Sequence, residues 1–281
     1  MKLAQILIDK QPALCAVLPE GLLPLASAGY ASMQDAIKNP AGLENAVSAC
    51  AESALIPEED AVFLPAVTSP GKLLCVGVNY RKHIEECGET LPVIPVLFSK
   101  FNSALAAHGE VIHPPKASSQ LDYEAELFVV IGKGGKNIPE SEALHHVFGY
   151  ACGNDLSARD LQLRTSQWLA GKTCDQFAPV GPYVVTADEI DPHALPIESR
   201  LNGAVRQQSN TSNMIFPCEK IISYISSIMT LEAGDVIFTG TPDGVILGLD
   251  EDKRDWMQPG DVIEVEIGGV GVLKNTIGES V

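Results

Sequence analysis

The stretch "LDYEAELFVVI", residues 121–131, predicts a buried strand that carries two glutamates. Side chains alternate between the two faces of a strand. One face of this stretch is apolar throughout: Leu121, Tyr123, Ala125, Leu127, Val129 and Ile131. The other face begins with Asp122, Glu124 and Glu126 and becomes apolar again toward its C-terminal end. Like charges side by side in a half-buried sheet are costly unless a cation or a proton lies between them.

The composition is that of an acidic, globular chain. It has 281 residues, 46% of them hydrophobic, which suits one large domain or a main domain with a smaller one attached. The formal net charge of −17, without any run of Lys or Arg, argues against binding to nucleic acid or to an anionic membrane.

Cysteine usage and hydropathy predict the compartment. The seven cysteines are odd in number and contain no C-x-x-C pair, so we expect reduced thiols and neither a disulfide framework nor a zinc site. No apolar run approaches the ~20 residues that span a bilayer, and the first ten residues lack the pattern of a signal peptide. We therefore expect a cytoplasmic protein.

The order of the patterns predicts a β-rich α+β fold. A small N-terminal α/β domain is expected over residues 1–66, with a helical stretch at 32–53 that is broken near Pro40. The main domain, 67–281, consists mostly of short β-branched runs between Gly and Pro turns. Two helices are predicted in it, at 157–169 and 218–230.

A third carboxylate lies in "GYACGNDLSARDLQ", residues 149–162, where a strand is predicted to run into a helix. Ser157 and Asp160 form an S-x-x-D capping arrangement, which leaves Asp155 free to point elsewhere. Three carboxylates without His or Cys make an all-oxygen site, suited to Mg²⁺, Mn²⁺ or Ca²⁺. The alternative is a solvated strand face, because a chain this acidic contains about 4–5 acid pairs at i,i+2 by composition alone.

A candidate acid–base pair lies in "NYRKHIEE", residues 79–86. On a helix, His83 and Glu86 are i,i+3 neighbours on one face. A carboxylate beside an imidazole orients it and raises its basicity, as a general base requires. The alternative is an ordinary exposed helix pair.

Positive charge is expected near "AGKTCDQFAPVGP", residues 170–182. Lys172, with Arg159 and Arg164, supplies the local positive charge that an acidic protein needs for an anionic substrate, unless it is simply a solvated lysine. The segment is not a phosphate-binding loop, because Ser166 stands where that motif needs glycine. The loop "FTGTPDGV", residues 238–245, offers N–H and hydroxyl donors to a carboxylate, or is a plain turn.

Taken together and in this order, these segments resemble the fumarylacetoacetate hydrolase family. The matching pieces are "NYRKHIEECG", "DYEAELFVVIGK", "FGYACGNDLSARDLQ", "GKTCDQFAPVGP", "MTLEAGDVIFTGTPDGV" and "GDVIEVEIGGVGVLKNTI". They cover about residues 70–278. The resemblance implies a twisted β-roll or sandwich core, a homodimer, and one bound Mg²⁺ or Mn²⁺.

The resemblance also implies roles for individual residues. These are Glu124, Glu126 and Asp155 as metal ligands, His83 and Glu86 as a water-activating pair on a lid segment, Lys172 as a catalytic lysine beside the metal, and Arg159, Gln162, Thr241 and Tyr80 as substrate contacts.

The implied substrates are small 2-oxo acids. Hydrolysis of a C–C bond in an acylpyruvate-type 2,4-dioxo acid, with release of pyruvate, is the first hypothesis. Oxaloacetate decarboxylation is the second, and isomerase or hydratase chemistry the third. Val78 stands where several relatives carry a basic residue, which favours a larger or less charged acyl group over oxaloacetate. A protein that binds metal only for stability is the distant alternative.

Overall fold

The computed structural model describes residues 1–281 and is built on an eleven-stranded and a five-stranded sheet. The strands are β1 (Lys2–Ile8), β2 (Gln11–Leu18), β3 (Gly21–Pro24), β4 (Val62–Phe63), β5 (Leu73–Gly77), β6 (Val96–Ser99), β7 (Leu105–Ala106), β8 (Val111–Ile112), β9 (Leu121–Asp122), β10 (Ala125–Ile131), β11 (Val147–Asn154), β12 (Ser157–Ala158), β13 (Ala178–Thr186), β14 (Pro196–Leu201), β15 (Ala204–Asn210), β16 (Val236–Phe238), β17 (Val262–Ile267) and β18 (Gly271–Ile277). The α-helices are α1 (Met33–Lys38), α2 (Leu43–Ala49), α3 (Arg81–Cys87), α4 (Glu140–Ala143), α5 (Arg159–Gln162), α6 (Leu169–Lys172) and α7 (Cys218–Ile228). The predicted β-rich α+β class is confirmed.

The large sheet places β10 near its centre. Its order is β3-β2-β1-β13-β11-β10-β16-β5-β6, with β4 paired to β1 and β7 paired to β13. The smaller sheet has the order β15-β14-β17-β18-β8, and β9 pairs only with β12. The two sheets share one apolar core, so the architecture is that of a two-layered β structure with helices at its surface.

Strand β10 is buried on both faces, and its alternation decides which layer each side chain joins. Leu127 and Val129 pack into the core that the two sheets share with α7. Phe128 and Val130 pack on the opposite side, in the core that includes α1 and α2. The apolar end of the acidic face, seen in the sequence, is therefore the contact with the N-terminal helices.

The stretch 121–131 is two strands and not one continuous strand. Between β9 and β10 the chain leaves the ladder, and the N–H of Glu124 donates to the side-chain oxygen of Asn154 at 3.0 Å. Because β9 turns away to pair with β12, Asp122 and Glu124 lie beside the sheet and not within it.

The prediction of a helix at 157–169 is wrong. Ser157 belongs to β12, its hydroxyl donates to the carbonyl of Asp155, and α5 ends at Gln162. Asp160 does not cap this helix, since its carboxylate accepts hydrogen bonds from Ser118 and the N–H of Ser119. Competing side-chain partners therefore replace the expected capping arrangement. The helix predicted at 218–230 is confirmed as α7.

The first 66 residues are joined to the main sheet. Strand β1 pairs with β13 in the register Lys2↔Val185 and Leu3↔Val184. The helical stretch predicted at 32–53 is confirmed as α1 and α2, and Pro40 lies in the turn that separates them. The domain boundary at 66/67 stays a prediction. No helix of this structure is long and apolar enough to cross a membrane.

Candidate active site

Three carboxylates lie close together at the point where β10 begins and the neighbouring strand β11 ends. The antiparallel register pairs Ala125 with Asn154, so Glu124 and Asp155 are opposite each other, and the N–H of Asp155 donates to the carbonyl of Glu124 at 2.9 Å. Oxygens of Glu124, Glu126 and Asp155 lie within 4.8 Å of one another, and all three side chains are buried. The register of one strand pair thus brings together the carboxylates that the sequence predicted as ligands.

Two lysines neutralise part of this charge. Nζ of Lys172, at the end of α6, is 2.8 Å from Oε2 of Glu124 and 2.9 Å from Oδ2 of Asp155. Nζ of Lys100 is 2.5 Å from Oδ1 of Asp155 and donates to the carbonyls of Leu156 and Phe177. Burial disfavours the charge of Lys172, but Asp155 and Glu124 outweigh it and raise the pKa of this lysine.

Arg159 connects the carboxylates to a fourth acid. Its Nη2 is 2.7 Å from Oε1 of Glu124, its Nε donates to Asp122 at 2.8 Å, and its Nη1 donates to Gln162 at 2.9 Å. Asp122 also accepts the N–H groups of Ile246 and Leu247. The guanidinium is therefore held in a single orientation by partners on three sides.

The donor set fits a divalent cation. Four buried carboxyl groups, of Asp122, Glu124, Glu126 and Asp155, lie beside three buried cationic side chains, so the cluster has one acid more than it has cations and can accept a divalent ion. Glu126 is the carboxylate without a Lys or Arg partner, and burial together with Asp155 and Glu124 raises its pKa well above the usual value. Carboxylate oxygens are the ligands that Mg²⁺ and Mn²⁺ prefer. Glu124, Glu126 and Asp155 are the residues that would hold the ion.

Glu126 is oriented by the loop that follows β16. The N–H of Gly240 donates to its Oε2 at 2.6 Å. Gly240 has φ +101, and a Cβ there would lie 2.6 Å from the Cβ of Asn79, so only glycine fits this position without strain. Gly240, the first glycine of the "FTGTPDGV" loop, therefore helps to orient the carboxylate of Glu126.

The predicted acid–base pair lies on α3. Nδ1 of His83 is 2.9 Å from Oε1 of Glu86, as the i,i+3 spacing predicted. The carboxylate of Glu86 also accepts the N–H of Gly244 at 2.9 Å. That backbone bond fixes the carboxylate, which in turn fixes the ring.

The charge on His83 depends on its surroundings. Burial disfavours the charged ring, but hydrogen bonds to Cys87 and Glu86 and the charge of Glu124 outweigh this effect and raise its pKa to about 9. A cation at Glu124 would remove one of these contributions. With this pKa the ring holds its proton near neutral pH as long as no positive charge enters the carboxylate cluster.

His83 of the pair and Glu124 and Glu126 of the cluster line one small cavity of about 60 Å³. Its polar lining includes His83, Glu124, Glu126, Arg159, Gln162, Lys172 and Thr241, and its apolar lining includes Val78, Phe98, Leu163, Trp168 and Leu247. Most of the predicted site residues are thus gathered at one place.

Three of the predicted residues stand apart from this lining. Asp155 is buried outside it and is paired with Lys100 and Lys172. Tyr80 is buried at the start of α3, outside the lining, and its hydroxyl has no hydrogen-bond partner. Glu86 lies behind His83. The roles assigned to all ten residues stay predictions.

Lys100 and Asp122 are the buried charged residues that the sequence analysis did not assign to the site. Asp122 carried a signal, because it shares the acidic face of 121–131 with the two glutamates. Lys100 follows the short strand β6, and only the tertiary fold brings it to Asp155, which is 55 positions away.

Val78 adopts an unusual backbone conformation at the cavity wall. Its φ is +49, a region that a β-branched residue rarely enters. The next residue, Asn79, is buried, and its side chain donates to the carbonyls of Phe216 and Thr239 and accepts the N–H of Phe216. This clamp keeps the strained turn in place and Val78 in the cavity lining.

Comparison with known proteins identifies the family. Residues 72–278 match the family described as fumarylacetoacetate (FAA) hydrolase C-terminal, and the chain belongs to it. Oxaloacetate tautomerase FAHD2A, mitochondrial, from Homo sapiens is 43% identical over 231 residues, which are 81% of this chain and 73% of the human protein.

Solved structures of the family share the whole fold. Fumarylacetoacetate hydrolase from Exiguobacterium antarcticum is 34% identical with a TM-score of 0.84, and the match covers 99% of each chain. Maleylpyruvate hydrolase from Sphingobium sp. SYK-6, in complex with manganese(II) ion and pyruvate, is 27% identical with a TM-score of 0.85 over 100% of each chain. The prediction of an enzyme is confirmed, with an activity of the hydrolase, isomerase or decarboxylase type.

Proposed function

We propose that this protein catalyses the keto–enol interconversion of a compact, anionic 2-oxo acid of the oxaloacetate class. The observation that carries the proposal is the placement of the His83–Glu86 pair and the carboxylate cluster around one cavity of about 60 Å³. A space of this size suits a short diacid. The name and the 43% identity of the human oxaloacetate tautomerase support the same substrate class.

The charges of the site suit an anion only once a cation is present. Lys100, Arg159 and Lys172 are already paired with Asp122, Glu124 and Asp155, so the charge balance of the site leaves little positive charge for an anionic substrate. A divalent ion held by the three predicted ligands would reverse that balance and act as a Lewis acid on the 2-oxo oxygen. Arg159 and Lys172 then supply charge-assisted hydrogen-bond donors to the bound anion.

His83 supplies the proton transfer. In the enol-to-keto direction the protonated ring delivers a proton to carbon 3, and the proton released by the enol oxygen reprotonates the ring, so the reaction is an isomerisation without a co-reactant. Glu86, fixed by the N–H of Gly244, holds the ring in the required orientation through both halves of the transfer. Lys172 stabilises the negative charge that develops on the oxygen.

Hydrolysis of an acylpyruvate is the second candidate. The apolar side of the cavity, with Val78, Phe98 and Trp168, favours an uncharged acyl group. The manganese- and pyruvate-bound maleylpyruvate hydrolase has the same fold with a TM-score of 0.85. For this reaction a neutral His83 would deprotonate a water that attacks the C4 carbonyl. Decarboxylation of oxaloacetate is the third candidate, and it would need no attacking water.

One panel of assays separates these reactions. Enol oxaloacetate is followed by the loss of enol absorbance, and acetylpyruvate and oxaloacetate by release of pyruvate, each with Mg²⁺ or Mn²⁺ and again after chelation. Metal-dependent acceleration of ketonisation, lost in His83→Gln, supports the proposal. If pyruvate is released from acetylpyruvate and ketonisation is not accelerated, the protein is a hydrolase and the proposal fails. If pyruvate is released from oxaloacetate alone, the protein is a decarboxylase. A homodimer remains a proposal from the family resemblance, and a cytoplasmic location remains a proposal from the cysteine usage and hydropathy of the sequence.

A further inference from the structure

Helix α3 carries a second set of metal-ligating side chains, distinct in chemistry from the carboxylate cluster. His83, Glu86 and Cys87 stand at i, i+3 and i+4, so all three project from one side of the helix. Their ligand atoms lie within 4.8 Å of one another. The distances are 2.9 Å from Nδ1 of His83 to Oε1 of Glu86 and 3.8 Å from Nδ1 to Sγ of Cys87.

We propose that these three side chains form an inhibitory site for a thiophilic divalent cation, with Zn²⁺ as the natural example. Zn²⁺ is bound by imidazole, carboxylate and thiolate at about 2.0–2.3 Å, and a tetrahedron with these bonds separates its ligand atoms by about 3.3–3.7 Å. The two observed distances, 2.9 and 3.8 Å, lie on either side of this range. Movements of a few tenths of an ångström, within reach of side-chain rotation, would bring these two pairs into the range, and the Glu86 and Cys87 ligand atoms lie within 4.8 Å of each other.

The site has an entry path and an open fourth position. His83 and Cys87 line the cavity, and Cys87 is partly exposed, whereas five of the other six cysteines are buried. Three protein ligands leave one position for water, as in an accessible zinc site. On binding, the thiol proton of Cys87 and the Nδ1 proton of His83 pass to solvent.

The two sets of ligands select different ions. The cluster of Glu124, Glu126 and Asp155 offers oxygen alone, which suits Mg²⁺ and Mn²⁺. The set on α3 offers nitrogen, oxygen and sulfur, which Zn²⁺ binds much more tightly than Mg²⁺ does. A protein saturated with Mg²⁺ therefore keeps the α3 site available.

Binding at α3 would stop the reaction by separating His83 from Glu86. The 2.9 Å hydrogen bond between them must lengthen when both become ligands of one ion. The bound ion also occupies Nδ1, so the ring can no longer take up and release a proton through this pair. This inhibitory effect rests on the proposed acid–base role of His83, whereas the binding itself does not.

Cobalt spectroscopy tests binding without any assay of activity. Co²⁺ replaces Zn²⁺ as the probe and gives a near-ultraviolet charge-transfer band only when a thiolate is a ligand. The wild-type protein and the control Cys174→Ser, which changes the other partly exposed cysteine, should both show the band. Cys87→Ser should lose it, and one equivalent of Zn²⁺ should remove it from the wild type. Absence of the band in the wild type, or its persistence in Cys87→Ser, overturns the site.

Inhibition is then measured at saturating Mg²⁺. Each variant is compared with its own rate without Zn²⁺, and loss of the thiolate ligand should raise the half-inhibitory Zn²⁺ concentration by about 10-fold or more, as expected for removal of a coordinating group. Equal inhibition of the wild type and Cys87→Ser would show that Zn²⁺ acts at the carboxylate cluster and would overturn the inhibitory role. If none of the proposed substrates reacts, the proposed function fails, and the cobalt band still decides the site.

Discussion

The two halves of the candidate active site are built in opposite ways. Glu126 belongs to the central strand β10, and Glu124 and Asp155 directly flank β10 and β11, which have neighbours on both edges and a core on both faces. The histidine half stands on α3, a helix of seven residues. The loop that follows exposes Leu91, Val93 and Ile94, with Val93 90% exposed.

The difference between the two halves matches their two proposed tasks, which are ion binding and proton transfer. Like charges can be held close together only by a rigid scaffold, which the central strands of the sheet provide. An acid–base group must meet a substrate that enters and leaves, so it belongs on an element with fewer contacts. The bond from the N–H of Gly244 to Glu86 is one of the contacts that hold the second half in place.

The largest effect is expected from a change in the sheet half. Glu126→Gln should abolish the divalent-ion dependence and lower activity by at least about 10³-fold, since the Lewis-acid contribution is worth several kcal/mol. The same variant should raise the melting temperature of the chelated protein, because it removes a buried like charge whose pKa is raised. Calorimetric titration with Mg²⁺ and thermal melts measure both. A lower melting temperature in the chelated variant would contradict the charge-repulsion argument.

A change in the helix half should separate catalysis from ion binding. His83→Gln should lower activity by about 10²-fold, the lower range for loss of a general acid–base group. The stabilisation of the protein by Mg²⁺ should remain, because the three carboxylates are untouched. The control is Glu86→Gln, which keeps the shape and should lose less activity. If His83→Gln lost the Mg²⁺-dependent shift in melting temperature, ion binding would depend on the helix half, and the division into two halves would be wrong.

The pH dependence of stability should report on the same histidine. A folded pKa of about 9 against 6.5 for the free side chain means that the folded state holds the proton more tightly. The resulting stability is fully present below pH 6.5 and is lost as the pH rises toward 9, by at most about 1.4 kcal/mol per pH unit. Denaturant unfolding of the chelated protein, compared with His83→Gln, isolates this slope. Equal slopes in the two proteins would assign it to other groups.

The smallest effect is expected at the junction of the two halves. In Val78→Gly, relief of the strained φ of +49, worth about 1–2 kcal/mol, should offset the lost contacts, so that stability changes by less than about 1 kcal/mol. The matched control is Val76→Gly, on β5 and 1% exposed, which should lose several kcal/mol. Denaturant midpoints measure both. Similar losses in the two variants would show that the turn at Val78 stores no strain.

The sheet half was predictable from sequence because its signal is periodic. A strand repeats every two residues, so the acidic face of 121–131 was visible without any tertiary information. Asp155 was found as well, although the capping argument that pointed to it was wrong. Local patterns miss what the tertiary fold adds, and the carboxylate of Asp160 accepts from Ser118, which is 42 positions away.

The rest of the site depends on contacts between distant segments. Lys100 meets Asp155 only after β6 and β11 have joined the same sheet, and nothing around Lys100 in the sequence marks it. The conformation of Val78 was equally hidden, because a valine gives no signal of a positive φ. It follows from the hydrogen bonds of Asn79 to residues more than 130 positions away.

The pairing of β1 with β13 has a consequence for how this protein is cut and expressed. The family match begins at residue 72, yet β1 hydrogen-bonds the strand that precedes the smaller sheet, and α1 and α2 cover one face of β10. A fragment limited to the matched residues would present a bare sheet edge and an uncovered apolar face, both of which promote self-association. The residues that match the family and the residues that complete the sheet and its core are therefore not the same set in this chain.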